Sequence, residues 1–379
     1  MTLYFSGNET TERESLADTI AVRTPMATPM ISRLPSKTIS NRIHEWSLDE
    51  PFQSSENVRS IGSPHANTRF EGDDYNYRTP FYPTRLKAIC EIQHFGMEIT
   101  DTDRTVVMAG TDNTFDYRSG QLFTKTLNSI DNTLLYGVGS PETSGATGVS
   151  TNQRQCQGLL HWSAWTGLER VHGTNTVDMM DPYGVTIPAS MWSVFYDFQH
   201  TNITGESFYS NIVRRITNAG GDMESAPWTF WCGDLMMARV SKFLLTDGGV
   251  PIHERSTDAA SGVGYDHLHT VRLPNGYVVS FRTNRWLDDM SNTFTVDPSG
   301  AAYTPGSPNP AGSVTSRTFS GDQTMIGFKP GSVKVCWLRA PGFEKVETNG
   351  DYSRLVCKSE FTLEVAHPLD VAGCGNALS

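Results

Sequence analysis

The stretch YRSGQLFTKTLNSIDNTLLY, residues 117–136, sets Phe123, Leu127, Ile130 and Leu134 at spacings of four, three and four, and Gly137 follows directly. This recurrence puts one apolar stripe on an α-helix with Thr, Asn, Lys and Asp on its other face, and the glycine supplies a stop. At ~1.5 Å per residue the helix spans roughly 30 Å, enough to be the spine of a domain.

Upstream of it, residues 38–52 (TISNRIHEWSLDEPF) and 84–100 (TRLKAICEIQHFGMEIT) are rich in Ile, Trp and Phe and read as two strands. About thirty polar, turn-rich residues separate them, far more than the two to five of a hairpin, and a loop of that length is normally functional or partner-supported. An extended β-arm resting on another subunit satisfies both features. Residues 1–37 mix Ser, Thr, Glu and Arg with Pro25, Pro29 and Pro35 and show no core-forming periodicity. Such an arm is disordered alone, so its order is expected to come from a neighbouring chain.

Downstream, residues 140–155 (SPETSGATGVSTNQRQ) read as a Gly/Ser/Thr linker and a domain boundary. Residues 156–325 then read as a mixed domain. Helices are expected at Met191–His200, Phe208–Thr217 and Asp234–Leu245, with strands at Trp228–Trp231, Leu268–Leu273 and Tyr277–Arg282. The last two are joined by Pro274-Asn275-Gly276, whose Asn-Gly pair is the strongest short hairpin signal. A Pro/Gly loop follows at Asp297–Ser316. Strands alternate at Ser332–Leu338 and Arg354–Val365, with Gly350 turning between them. The fold class is α+β, and 379 residues suggest two or three domains.

Composition excludes several functions. With 37% hydrophobic and 19% charged residues, the chain is globular rather than disordered. A net charge of −11 disfavours tight, sequence-independent binding to a nucleic-acid backbone. Only eight Lys stand against 22 Arg, a bias toward the planar side chain that suits interface ion pairs. The cysteines at 90, 156, 232, 336, 357 and 374 form no C-x-x-C pair and are expected to be free thiols. The N-terminus lacks a basic n-region and no apolar run reaches membrane length, so the chain is expected to stay in the cytoplasm until lysis.

Chemical motifs are sparse. The chain has no phosphate-binding glycine loop, no dinucleotide fingerprint, no nucleophile elbow and no H-E-x-x-H. His44-Glu45 and His253-Glu254 are lone dipeptides. In Asp266-His267-Leu268-His269 the two imidazoles share a strand face and could grip a metal, though a third ligand is not indicated and a hydrogen-bonded surface strand is the commoner meaning. Asp73-Asp74 and Asp288-Asp289 could serve acid/base or calcium chemistry but are usually solvated turns. The aromatics Trp162, Trp165, Trp192, Phe195, Tyr196, Phe198, Trp228, Phe230 and Trp231 could stack sugars or bases, but within helices and strands they more often fill cores. Two N-x-[ST] matches, Asn8 and Asn202, are at chance level. No cofactor is expected.

The order of segments resembles the major capsid proteins of tailed bacteriophages with the Hong Kong 97 (HK97) fold. The resemblance rests on Thr28-Pro29-Met30, on His44-Glu45-Trp46-Ser47-Leu48-Asp49, and on Glu91-Ile92. It continues through Leu134-Leu135-Tyr136-Gly137, Gln157-Gly158-Leu159 and Glu360-Phe361-Thr362-Leu363-Glu364-Val365. It departs in the second arm strand, where the family usually has Asn and Gln just before the Ile and this chain has Ile89-Cys90-Glu91-Ile92, and it is thin over residues 170–260.

The resemblance implies an N-terminal arm (1–37), an extended loop (38–105), a peripheral domain (106–155 and 326–379) and an axial domain (156–325). It implies a structural protein rather than an enzyme, closing with copies of itself as pentamers and hexamers into an icosahedral shell around double-stranded DNA. Portal, scaffolding and decoration proteins are the implied partners, and contact with the packaged DNA is expected to be loose. No long helical pro-segment precedes the arm, so scaffolding is expected from a separate chain.

Large apolar side chains on exposed arms need a partner surface, which selects Leu34, Trp46, Phe52, Phe81 and Tyr82 as expected inter-subunit contacts. A covalent cross-link through Lys87, the lone Lys of the loop, is not expected, since it lies away from the tip. A cellular nanocompartment shell of the same fold and a metal-dependent enzyme using His267 and His269 are the competing readings.

Overall fold

The computed structural model describes residues 28–48, 71, 83–105, 114–140, 143–144, 150–172, 179–180, 183–246, 270–273, 276–288, 292–296, 317–347 and 350–377. Two sheets organise them. A four-stranded sheet runs in the order Ser36–Thr38, Val333–Val346, Tyr352–Val365, Glu91–Thr100, its first pair parallel and the others antiparallel. A six-stranded mixed sheet runs Val194–Asp197, Val371–Gly375, Met325–Phe328, Trp228–Cys232, Val278–Thr283, Thr270–Arg272. The C-terminal chain therefore serves both sheets: its long hairpin centres the first, and its last strand lies deep in the second.

The spine helix is Thr114–Tyr136, and its buried face is Leu122, Thr126, Ile130, Asp131, Leu134 and Leu135. The expected stripe holds at Ile130 and Leu134 but shifts by one residue toward the N-terminus. Phe123 is only half-buried and meets Phe343 of the long hairpin at 5.7 Å. Gly137 ends the helix for a reason other than a left-handed backbone. A Cβ there would lie 2.3 Å from the Cys156 carbonyl oxygen, and one on Gly158 would lie 2.5 Å from the Gly137 nitrogen. Two glycines let the chain return against the helix end, where Gly158 N–H donates to Gly137 O at 2.7 Å.

Residues 140–155 form more than a linker. Val138–Ser140 pairs antiparallel with Gln155–Gln157, and Thr143–Ser144 with Ser150–Asn152. A helix at Leu159–His172 was not expected from sequence. Its first ten residues, 159 to 168, are buried on all sides, so no amphipathic stripe marks it. Gly167 brings the Val194–Asp197 strand against this helix; a Cβ there would stand 2.6 Å from the Phe195 nitrogen.

Met191–His200, expected to be helical, is a 3-10 turn at Ala189–Met191 followed by the strand Val194–Asp197. Parallel pairing of Val194 with Ala372 through Asp197 with Gly375 overrides the local pattern. The other expected elements appear near their places: helical turns over Gly205–Asn218, the helix Asp234–Thr246, and strands Trp228–Cys232 and Val278–Thr283. Thr270–Arg272 pairs antiparallel with Val278–Thr283, and Gly276 takes a φ of 89° at their turn.

The main core joins the spine helix (Ile130, Leu134, Leu135), the buried helix (Leu159, Trp162, Trp165) and both sheets (Phe195, Ile326, Val335, Phe361). A second core fills the far side of the six-stranded sheet around Phe208, Ile212, Phe230 and Phe281. The aromatic concentration noted in the sequence is spent here. Trp162, Trp165, Trp192, Phe195, Phe198, Trp228, Phe230 and Trp231 are all buried. The six cysteines are free and buried. Among the described residues no helix is long and apolar enough to cross a membrane.

Candidate functional site

The two ends of the expected extended loop meet in an antiparallel hairpin that pairs Ile43 with Ile89 through Leu48 with Thr84. Leu48, Leu86 and Ala88 are buried, so the root of the loop is seated on the core. Trp46 is exposed in part, with its ring 6.1 Å from Trp162 and 5.5 Å from His44. Phe52, Phe81 and Tyr82 lie outside the described residues, as do His253, Asp266, His267, His269, Asp73 and Asp74. Leu34 is 6% exposed and packs inside its own chain.

The described residues at the end of the N-terminal segment, 28–38, are anchored within their own chain. The short helix Pro29–Arg33 buries Pro29 and Met30, and Ser36–Thr38 adds a parallel strand to the four-stranded sheet. Two buried carboxylates fix this segment, and sequence reading singled out neither for a role.

The first is Glu364, 4% exposed. Its Oε2 accepts from Lys37 Nζ at 2.8 Å, is bonded to His44 Nε2 at 2.6 Å, and receives the Cys336 thiol at 3.6 Å; Oε1 faces Lys334 Nζ at 3.4 Å. Burial by itself would raise this carboxyl. The hydrogen bonds from Lys37 and His44 and the charges of Lys37 and Lys334 outweigh burial and hold it at about 2. Burial, with the Glu364 charge beside it, pushes the Cys336 thiol up to about 12. One side chain thus joins the arm strand, the loop root and the central hairpin.

The second is Asp131 on the spine helix, fully buried. Its Oδ1 accepts from the Ile31 backbone N–H at 2.8 Å and its Oδ2 from the Trp286 indole N–H at 2.7 Å. Burial dominates here and pushes the carboxyl up to about 6, against those hydrogen bonds and the charge of Arg285.

Glu91, one of the residues carrying the family resemblance, has a fixed task. Its two oxygens accept from Cys156 N–H at 2.9 Å and Gln93 Nε2 at 2.8 Å, and Gln93 reaches on to Thr133 of the spine helix at 2.8 Å. Asp288 accepts from the backbone N–H of Asp234 at the start of the Asp234–Thr246 helix, so it acts as a local cap. These arrangements position elements. None of these contacts assembles a reacting centre; each ties one described element to another.

The SU10 major capsid protein family model matches residues 3–374, and the chain belongs to that family. No curated protein matches the chain by sequence. Among solved structures it resembles the capsid chain of an empty GTA particle at 9% identity, covering 99% of this chain and 98% of that one with a TM-score of 0.53. The mature capsid chain of bacteriophage PhiM1 is similar at 10% identity, with coverages of 98% and 96% and a TM-score of 0.51. The SrpI encapsulin of Synechococcus elongatus is similar at 8% identity, with coverages of 100% and 96% and a TM-score of 0.50. The fold is the HK97 capsid fold. The protein is a structural major capsid protein, a subunit of a viral shell.

Proposed function

We propose that copies of this chain close as pentamers and hexamers into the icosahedral shell of a tailed, double-stranded DNA bacteriophage, assembling in the host cytoplasm. The observation that carries this is the family match over residues 3–374 on a chain whose loop and arm are rooted in one core. A portal and separate scaffolding or decoration chains are its proposed partners, and its role is structural rather than catalytic.

In this reading residues 1–37 are the arm, 38–105 the extended loop, 106–155 and 326–379 the peripheral domain, and 156–325 the axial domain. Trp46, Phe52, Phe81 and Tyr82 are the proposed contacts with neighbours, and Leu34 contributes by fixing where the arm leaves the core. The ordering cost of arms and loops is met by area buried between several subunits. A net charge of −11 suits a wall along which packaged DNA slides.

Negative-stain electron microscopy of the purified chain after a sizing column tests this. Rings of five and six, or shells, are expected, and uniform shells from the chain alone would remove the separate scaffolding chain from the proposal; a stable isolated monomer of 41.9 kDa would refute the shell reading. The encapsulin likeness supports a cargo shell as the second reading. Particles made in the native context that carry a protein cargo and no DNA would favour it.

A further inference from the structure

The Glu364 junction contains more than an ion pair. His44 Nε2, Cys336 Sγ and a Glu364 oxygen lie within 4.8 Å of one another. They come from three strands, Ile43–Leu48, Val333–Val346 and Tyr352–Val365. Imidazole, thiol and carboxylate together form the mixed donor set of a borderline-soft divalent ion. Zinc bond lengths of about 2.0–2.3 Å separate tetrahedral ligand atoms by roughly 3.3–3.7 Å, so the 3.6 Å Cys336–Glu364 contact already fits and the 2.6 Å His44–Glu364 contact must open.

Lys37 occupies the same oxygen from the outside. Its ammonium is 2.8 Å from Glu364 Oε2 and its side chain is 43% exposed, so it can swing into solvent. Lys334 faces the other oxygen and need not move.

We propose that His44, Cys336 and Glu364 form a zinc-class metal site at the root of the extended loop, for which the Lys37 ammonium is the resident competitor. The exchange conserves charge. One divalent ion enters, the Cys336 thiol loses its proton to solvent and becomes the thiolate ligand, and the Lys37 ammonium leaves. The local charge is the same before and after, and no electron moves. Water takes the fourth position. Occupied, the site would tie the loop root to both strands of the central hairpin and release the arm strand from its Lys37 contact. The shell role does not depend on it.

The test is titration of the reduced, purified full chain with Co²⁺ alone, and with Zn²⁺ alone against a chromophoric chelator. One Co²⁺ per chain is expected, with thiolate-to-cobalt absorption in the near ultraviolet. Lys37→Ala should tighten binding about tenfold by removing the competing charge. Cys336→Ser should weaken it about a hundredfold and abolish the thiolate band, while Cys90→Ser, at the neighbouring buried thiol, should keep the band. Absence of the band in both wild type and Lys37→Ala would overturn the proposal. So would a band that survives Cys336→Ser or is lost in Cys90→Ser. Lys37→Ala carries the test even where Cys336→Ser fails to fold, since a surface lysine change leaves all three ligands in place.

Discussion

Glu364 and Asp131 are both buried carboxylates that reach the same short N-terminal segment, yet they are held in opposite ways. Glu364 meets two ammonium groups and an imidazole and stays ionised, with its carboxyl at about 2. Asp131 meets a backbone N–H and an indole N–H, and burial pushes it up to about 6. Burial pushes both carboxyls up; the charged donors around Glu364 outweigh it, and the neutral donors on Asp131 do not. The strand end of the arm is therefore pinned by charge and the helical end by neutral donors.

The largest effect should come from removing the charged anchor. Glu364→Ala leaves Lys37, Lys334 and His44 around an empty position. Part of that loss is recovered by hydration of the two exposed lysines, so about 3 kcal/mol of stability should disappear in chemical denaturation at neutral pH. Asp131→Ala orphans the Ile31 N–H and the Trp286 indole and should cost about 2 kcal/mol. An equal loss from both would remove the distinction drawn above.

Acid titration separates the two anchors by sign. Glu364 has a folded pKa below its ordinary value of 4.5, so its contribution is complete above that pH and is lost as pH falls toward about 2. Asp131 has a folded pKa above its ordinary value of 3.8, so the native state is favoured while it is protonated. That contribution is lost as pH rises through about 6. Asp131→Asn should cost about 1 kcal/mol, because an amide offers one acceptor where two are used, and should flatten stability between about pH 4 and 6. Glu364→Gln should flatten the acid limb instead. Denaturation midpoints measured from pH 2 to 8 check both, and identical pH profiles for the two variants would contradict the assignment. Lys334→Ala is expected to be the mildest change, about 0.5 kcal/mol, since that ammonium is 36% exposed and 3.4 Å away.

Much of the frame was legible because it is written in local periodicity. The spine helix, the two loop strands and the long C-terminal hairpin carry apolar recurrences that need no partner to be read. The buried helix Leu159–His172 was hidden because it is covered on every side and so shows no stripe. Val194–Asp197 read as helix because its aromatic spacing is ambiguous, and only pairing with the last strand settles it. Glu364 lies in a segment quoted for its family resemblance, yet nothing along the chain announced its role. Its partner Lys37 is 327 residues away and His44 is 320.

The sequence by itself determined the helix and strand periods, the long connection within the extended loop, the free thiols, the acidic balance and the order of segments that marks the family. Tertiary structure alone decided which strands share a sheet, that the last strand crosses into the six-stranded one, and that Lys37, His44, Cys336 and Glu364 meet at one oxygen. The physical reason is range. Backbone preference and apolar spacing act between residues a few positions apart, whereas a buried charge is settled by whichever donors the packed core brings to it.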